Sequence, residues 1–338
     1  VVGAEALAQQ DVHFSQYQNT PLLVNPAQAG VFYGRYRLMT NYRTQWFAVS
    51  EPFTTIQASL DLPLFTEVFG DDMFAIGLNF VDDNAGDSEM SATQVNATIS
   101  YGKALDSRNR HFVSLGFQGG YAQRSILYSN FLFWDSQWRT QGFDLLAPSG
   151  EEELILANLD PDSYFDFASG VHYFYNDQRL FKLYGGIAMY HLNRPSVDFL
   201  GANAELFRKM VYHIGFEHGI RDNSQFVIRP SAIFTDQGPN EVFMLGTDLQ
   251  WTLMNATEFT GILKEATFGI GVYYRHKDAM VGKISIGRGG FLINATYDFT
   301  ISSLSSANSG DGGPEVSLIY RGGYKKGHSG GHQSDRFK

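Results

Sequence analysis

The chain has 338 residues, of which 15% are aromatic and 18% charged, and it contains 28 Phe, 18 Tyr and 35 Gly but no Cys. The lack of Cys excludes a disulfide framework, a thiolate nucleophile and a zinc–thiolate site, and the formal net charge of −10 argues against a general nucleic-acid binder. No stretch approaches the ~18–20 uninterrupted apolar residues of a membrane-spanning helix, which excludes a helical membrane protein.

The first eight residues end in Ala6-Leu7-Ala8, which is the small-x-small pattern of a signal-peptidase site. We interpret residues 1–8 as the trailing end of a secretory signal peptide, with the mature chain starting near Gln9. An ordinary flexible N-terminus is the alternative interpretation, because the charged region that opens a signal peptide is not part of the chain.

Residues 9–33 carry Pro21 and Pro26 and show no clear periodicity. Their aromatic and amide side chains, such as Phe14 and Gln16, suit packing into a polar lumen or across its periplasmic mouth. Disordered segments are usually rich in charge and poor in aromatics. We therefore predict an N-terminal plug-like segment and keep a disordered leader as the alternative.

From Arg35 to Arg321 the chain repeats a two-residue alternation, which is typical of β-strands because successive side chains point to opposite faces. One face is rich in Phe and Tyr, and the other is small, glycyl or charged. This is the inverse of a soluble sandwich and suits a barrel in a lipid bilayer. The alternating runs lie near 35–43, 54–62, 73–81, 91–102, 111–123, 164–175, 180–191, 207–218, 225–235, 241–251, 266–275, 279–287, 290–300 and 314–321.

The fourteen runs make an even number, as single-chain outer-membrane barrels require. We predict an all-β fold, a transmembrane antiparallel β-barrel over 34–321, located in the bacterial outer membrane. If both termini are periplasmic, the longest connections, Ser125–Ser163 and Asn193–Glu205, face the outside. The polar tail 322–338 is then a flexible periplasmic extension or a docking arm.

The parity of the alternation also predicts an ionic network in the lumen. Its inward-facing cations are Arg35, Arg37, Arg43, Lys209, Arg229, Arg275 and Arg321, and its anions are Asp61, Asp166, Glu217, Asp248, Asp298 and Glu315. Charges of both signs in a confined interior should pair, since an unpaired buried charge is costly. Near balance predicts a filled or plugged barrel more than an ion-selective pore.

Other motifs that look chemical have simpler explanations. The oxygen-rich stretch 82–89 lacks the spacing of an EF-hand, so we favour a solvated hairpin tip over a calcium loop. His213 and His218 lie on opposite strand faces and cannot share a metal there. Residues 287–290 fit a tight turn better than a phosphate loop, and no catalytic constellation is identifiable. We predict no enzyme activity, cofactor or metal.

The connection between the fifth and sixth runs is the predicted site of partner binding. It combines an aromatic cluster with an acidic run: Tyr128, Phe131, Phe133, Trp134, Trp138, Glu151, Glu152 and Glu153. Exposed aromatics often dominate protein interfaces, although the loop could instead fold inward and cap the barrel. On the periplasmic side, the connection Thr252–Glu265 and the basic pair Lys325-Lys326 offer a dock.

Several motifs, in order and with matching spacing, give the chain a family resemblance. They are Gln10–Tyr17, Asn25–Gly30, Tyr42–Trp46, His191–Pro195, Arg229–Ala232, Tyr274–Ala279, Tyr297–Phe299 and Pro314–Tyr320. Over nearly the whole mature chain the sequence resembles the PorP/SprF proteins, which are outer-membrane components of the type IX secretion and gliding machinery of Bacteroidetes.

The resemblance implies a barrel that works in a multiprotein assembly rather than an enzyme. It implies as partners a secreted surface adhesin or other type IX cargo, together with periplasmic ring or peptidoglycan-linked components. Outer-membrane lipid surrounds such a barrel, and no nucleic acid is expected. The alternative is an outer-membrane channel for small or hydrophobic solutes. A secreted all-β adhesin would not explain the aromatic face.

Overall fold

A computed structural model describes residues 11–45, 52–64, 72–85, 90–125, 138–139, 142–143, 162–177, 180–199, 202–220, 225–254, 265–302, 305 and 310–323. Within these ranges, no helix is long and apolar enough to cross a lipid bilayer. The remaining residues, which include 1–8 of the predicted signal peptide and 324–338 of the predicted tail, lie outside the described part of the chain.

Fourteen antiparallel strands form a closed barrel, which confirms the predicted fold class. Each strand pairs with its neighbour along the chain, and the last strand pairs with the first. The barrel strands are β1 (Tyr36–Gln45), β2 (Phe53–Leu64), β3 (Met73–Ala85), β4 (Met90–Ala104), β5 (His111–Ser125), β8 (Asp162–Asn176), β9 (Phe181–Tyr190), β12 (Lys209–Gly219), β13 (Phe226–Gln237), β14 (Asn240–Met254), β15 (Ala266–Arg275), β16 (Ala279–Arg288), β17 (Phe291–Thr300) and β18 (Asp311–Gly322); two short hairpins lie in connections, β6 (Trp138–Arg139) with β7 (Gly142–Phe143), and β10 (Ser196–Phe199) with β11 (Ala202–Glu205).

Each of the fourteen predicted runs coincides with one barrel strand, but several strands are longer than their runs. β3 and β14, for example, continue to Ala85 and Met254. The alternation weakens there because both faces are polar or mixed, whereas the ladder of backbone hydrogen bonds continues. The short hairpins β6–β7 and β10–β11 were not predicted, since their strands are too short to show a period.

The outer wall of the barrel is apolar. Exposed aliphatic side chains occupy the middle of the strands, with Leu78 57%, Ile214 57% and Ile284 54% exposed. Many exposed aromatic side chains lie toward the strand ends, where Phe226 stacks on Trp251 with ring centroids 5.5 Å apart. An exposed apolar band between aromatic belts is the surface that a bilayer stabilises, and in water it would be an aggregation liability.

The two ends of the barrel differ in their connections. At one end lie the longest connections, 126–161 and 191–208. At the other end, where β1 begins and β18 ends, the turns 105–110, 177–180 and 289–290 are short. Outer-membrane barrels have short periplasmic turns and longer extracellular loops. By this asymmetry we name the end with the longest connections the outer end, and the end where Tyr36 pairs with Gly322 the periplasmic end.

Candidate functional site

The lumen of the barrel is occupied by the chain that precedes β1. Residues 17–28 form three short helical turns, at Tyr17–Asn19, Pro21–Val24 and Pro26–Gln28. Pro21 and Pro26 each stand in the first turn of a helical stretch, where their fixed φ is favourable and their missing N–H costs nothing. Such turns satisfy backbone groups locally, so the segment needs no strand partner inside the barrel. We call residues 11–34 the lumenal segment.

At the outer end, the lumenal segment is held by a charge cluster. The Asp11 carboxylate lies 3.0 Å from His191 Nε2 and 3.2 Å from Lys209 Nζ. The other ring nitrogen of His191, Nδ1, lies 3.0 Å from Asp166 Oδ1. Two carboxylates against one ammonium and one imidazole balance if the imidazole is protonated.

The electrostatics of this cluster favour that charged state. Burial opposes the charging of His191, but the carboxylates of Asp11 and Asp166 outweigh it and raise the pKa of the imidazole to about 9. Burial would raise the pKa of Asp11, yet His191 and Lys209 together hold it well below its ordinary value. The cluster therefore holds the start of the segment through paired charges.

Deeper in the lumen, four strands contribute a buried network around Ser15. Arg275 Nη2 and Arg43 Nη2 lie 2.8 and 3.3 Å from the Asp298 carboxylate. Ser15 donates its hydroxyl to Asp298 at 2.7 Å and its backbone N–H to Glu315 at 2.8 Å. The two guanidinium groups lie against two carboxyl groups, so each buried charge has an opposite charge beside it.

The middle of the segment packs against the wall through glycines. A Cβ atom on Gly116 of β5 would lie 2.2 Å from the backbone N of Ala27, and one on Gly170 of β8 would lie 2.1 Å from Asn25 Oδ1. A Cβ atom on Gly186 of β9 would lie 2.6 Å from Asn25 Nδ2 and 2.4 Å from the carbonyl oxygen of Val171 in the wall. Three successive strands therefore lack side chains where the turn at 25–27 approaches them.

Polar side chains of the segment also bond to the wall. Tyr17 donates its hydroxyl to Ser231 at 2.7 Å, and its ring packs edge-on against Tyr273. Asn25 donates to the carbonyl oxygen of Val171 at 2.9 Å, beside the His213 ring. These contacts join the middle of the segment to strands β8, β13 and β15.

At the periplasmic end, one carboxylate fixes the end of the segment. Asp61 accepts a hydrogen bond of 2.8 Å from the backbone N–H of Gly30 and pairs with Arg37. Arg37 also donates to the carbonyl oxygen of Gln28 at 3.2 Å and lies over the Phe32 ring. The segment is therefore fixed at both mouths.

Further ion pairs line the wall away from these clusters. Glu217 lies between Lys182 at 3.4 Å and Arg229 at 3.3 Å. Lys283 Nζ is 2.9 Å from Asp248.

Most of the residues predicted for the ionic network meet an opposite charge in the lumen. The described contacts join Arg37 to Asp61, Arg43 and Arg275 to Asp298, Arg43 to Glu315, Lys209 to Asp11, Asp166 to His191, Arg229 to Glu217, and Asp248 to Lys283. The structure differs from the prediction at Arg35, whose side chain is exposed at the periplasmic rim. The reason is that β1 begins only at Tyr36, so the inward face ends before Arg35.

Sequence reasoning missed several members of these clusters. Lys182 and Lys283 share the inward parity of their strands and could have been found by the same argument. Asp11 lies in an aperiodic stretch, which gives no parity signal. His191 ends the predicted run 180–191 with the outward parity, but the strand stops at Tyr190 and His191 has a positive φ of 56°. The stacked rings of His172 and His213, with centroids 5.3 Å apart, were also missed because they lie on strands that are distant in sequence.

The predicted outer-loop contact lies almost wholly outside the described residues. This holds for Tyr128, Phe131, Phe133, Trp134, Glu151, Glu152 and Glu153. Trp138 belongs to the short hairpin β6–β7, where it pairs with Phe143 through the backbone. The partner-binding role of this loop stays a prediction.

The acidic stretch 82–89 is described only as far as Ala85. Thr93 donates its hydroxyl to Asp82 at 2.6 Å, and Thr55 donates to Asp83 at 2.5 Å. Adjacent strand residues face opposite sides of the wall, so these two carboxylates do not point to one ion. Among the described residues, no group of three or more His, Asp or Glu side chains is placed to hold a metal ion.

A cavity remains beside the lumenal segment near the outer end. It lies between the segment and strands β12 to β15, and its lining includes Phe14, Leu23, Val211, Ile233 and Met244. Asp11, Lys209 and Arg275 border the same space. The cavity is therefore mainly apolar with a charged margin.

Comparison with known proteins gives a family and a fold. The family model described as type IX secretion system membrane protein PorP/SprF matches residues 6–320. No curated protein sequence matches the chain. Among solved structures, the toluene transporter TbuX of Ralstonia pickettii is 10% identical, with a TM-score of 0.51 and coverage of 91% of this chain and 94% of that one. The toluene transporter TodX of P. putida is also 10% identical, with a TM-score of 0.51 and coverage of 91% and 95%.

At this identity the two transporters show the shared barrel fold and nothing more. The family match, in contrast, covers almost the whole chain and agrees with the closed fourteen-stranded barrel and its apolar outer wall. The chain belongs to the PorP/SprF family of type IX secretion system membrane proteins.

Proposed function

We propose that this protein is a non-enzymatic anchor in the outer membrane for the type IX secretion and gliding machinery. It holds surface proteins, or assists their export, at its outer end, and it contacts periplasmic ring or peptidoglycan-linked components at its inner end. A signal peptide, cleaved after Ala8, delivers it to the periplasm.

The observation that carries the proposal is the filled lumen. The lumenal segment is bonded to the wall from Asp11 at the outer mouth to Gly30 near the periplasmic mouth. Three wall glycines leave room for the turn at 25–27, because a Cβ atom at each position would collide with it. A barrel whose interior is occupied by its own chain is suited to a structural role, in which the two ends present surfaces to partners.

The surfaces available to partners differ in chemistry. The outer connection 126–161 combines aromatic residues with the acidic run Glu151–Glu153, which favours contact with a surface protein. The periplasmic connection 255–265 and the basic pair Lys325-Lys326 of the tail favour contact with periplasmic components. Long connections usually carry function in proteins whose scaffold is rigid.

The second candidate function is a channel for small or hydrophobic solutes, and the apolar cavity near the outer end is the observation that favours it. TbuX and TodX are named as toluene transporters, which illustrates that a barrel of this fold can carry an apolar solute. The lumenal segment counts against this function. A solute would have to displace its ion pairs and its close packing against the wall glycines.

Two measurements on the full-length protein separate these functions. The anchor requires that the affinity-tagged protein, extracted in mild detergent, co-purifies with cell-surface and periplasmic proteins. It also requires that planar bilayers containing the protein show no steady large currents. Steady single-channel currents without co-purifying proteins would favour the channel and overturn the anchor.

A further inference from the structure

The lumenal segment runs in one defined direction through the barrel. Asp11, at its start, contacts His191 and Lys209, which border the connection 191–208 at the outer end. At its other end, Gly34 has φ +139°, and the backbone N–H of Arg35 donates to the Gly322 carbonyl oxygen at 2.8 Å. The chain therefore passes from the outer mouth to the periplasmic mouth before it turns into β1.

Contacts along the whole path support this direction. Ser15 bonds to Asp298 near the outer end of β17. Tyr17 bonds to Ser231 in the middle of β13, and Gly30 bonds to Asp61 toward the periplasmic end of β2. The order of these contacts along the segment matches their order along the barrel axis. The segment therefore passes through the lumen in one direction and does not double back.

The lengths of the connections indicate which mouth is the outer one. The connections 126–161 and 191–208 lie at the end that holds Asp11, and the short turns 105–110 and 289–290 lie at the other. From this geometry we propose that the residues immediately upstream of Asp11 leave the barrel at its outer face. The chain just before Asp11 is then accessible from the extracellular side, next to the connection 191–208.

This placement has a mechanical consequence. The residues just before Asp11 are connected to the wall through Asp11, Ser15 and the turn at 25–27. A pull on those residues is resisted by the ion pairs of Asp11 with His191 and Lys209, and then by the network around Asp298. The inference depends on the path of the chain and not on the function proposed above.

Cysteine labelling tests the inference directly, because the chain contains no Cys. The variant Gln10→Cys places a thiol just upstream of Asp11, and Gln9→Cys is a second variant in case the first fails to fold. Arg208→Cys marks the outer end and Ser107→Cys the periplasmic end, since both positions are exposed. The probe is a membrane-impermeant maleimide that carries a polyethylene glycol chain, applied to intact cells and to cells with a permeabilised outer membrane.

We expect Gln10→Cys and Arg208→Cys to react on intact cells, and Ser107→Cys to react only after permeabilisation. The shift of each folded band on heating confirms that the variants form barrels. If Gln10→Cys reacts only after permeabilisation, as Ser107→Cys does, the inference is overturned. A failure of both Gln10→Cys and Gln9→Cys to react under either condition while Arg208→Cys reacts would also overturn it.

Discussion

Arg37 and Asp61 are paired across the β1–β2 ladder and form a bidentate ion pair inside the barrel. Arg37 Nε and Nη2 lie 2.9 and 2.8 Å from the two carboxylate oxygens, and the side chains are 8% and 0% exposed. The same carboxylate accepts a hydrogen bond from Gly30. One buried group therefore joins two wall strands to the lumenal segment.

The variant Asp61→Asn should destabilise the barrel strongly, because it leaves the Arg37 guanidinium buried without an opposing charge. Removal of one partner of a buried pair costs about 3–5 kcal/mol. The measurement is the free energy of unfolding of the detergent-folded protein from its denaturant midpoint. The exposed pair Arg194–Glu205, 2.8 Å apart and 49% and 56% exposed, provides the control. Glu205→Gln should cost about 0–1 kcal/mol, and equal losses in the two variants would contradict the prediction.

The variant Gly116→Ala should loosen the lumenal segment, because its Cβ would lie 2.2 Å from the backbone N of Ala27. The segment must shift, and overpacking of this kind costs about 1–3 kcal/mol. Gly119→Ala on the same strand is the matched control, since its Cβ would make only an ordinary contact of 3.4 Å with the Phe167 ring. Protease cleavage within residues 11–34 and bilayer conductance should both rise for Gly116→Ala alone. Unchanged cleavage in both variants would show that the turn at 25–27 does not fit the wall as described.

The barrel could be predicted from the sequence because its signal is repeated. A single alternating run such as 290–300 is weak, but fourteen runs with one aromatic face require a membrane-facing wall. The hydrophobic pattern fixes the parity, and parity placed Arg37, Asp61 and Asp298 in the lumen. It failed at Arg35, where the strand had not yet begun.

The candidate site could be predicted only in part, for a physical reason. Asp11 lies in an aperiodic stretch and has no parity, whereas the parity of the run 180–191 would turn His191 outward. His191 reaches the lumen because the strand ends at Tyr190 and the backbone turns there. The close contact of Gly116 with Ala27 could not be predicted from the sequence, because it depends on where an aperiodic turn meets the wall in three dimensions. The composition of 9–33 indicated packing into a lumen but carried no information on the direction of the segment.

The charge cluster at the outer mouth should make the stability of the protein depend on pH. The pKa of His191 is raised to about 9 in the folded state from an ordinary value of 6.5. A raised pKa contributes stability that is fully present below pH 6.5 and is lost as the pH rises through about 9, with an upper bound on the order of 3 kcal/mol. The pKa of Asp11 is lowered, so its contribution is present above pH 3.8 and is lost only under acid conditions.

Unfolding free energies measured between pH 6 and pH 10 should therefore fall with rising pH. His191→Gln should remove this slope, because a glutamine keeps a polar contact with Asp11 but does not titrate. It should also lower stability at pH 6, because the neutral amide supplies no positive charge to pair with the carboxylates. A slope that is the same in the wild type and in His191→Gln would assign the pH dependence to other groups.

The last prediction concerns the two partner surfaces. Deletion of 130–155 should abolish the retention of the surface partner and leave membrane insertion intact, because the wall strands on either side remain paired from Arg124 and Asp162 inward. Removal of 323–338 should instead weaken attachment to periplasmic components, since it takes away the basic pair Lys325-Lys326. The two deletions serve as controls for each other, and co-purification from each cell fraction is the measurement. If deletion of 130–155 leaves the surface partner bound, the outer loop does not make the contact. A rise in bilayer conductance in that same variant would then identify the loop as a cap over the barrel.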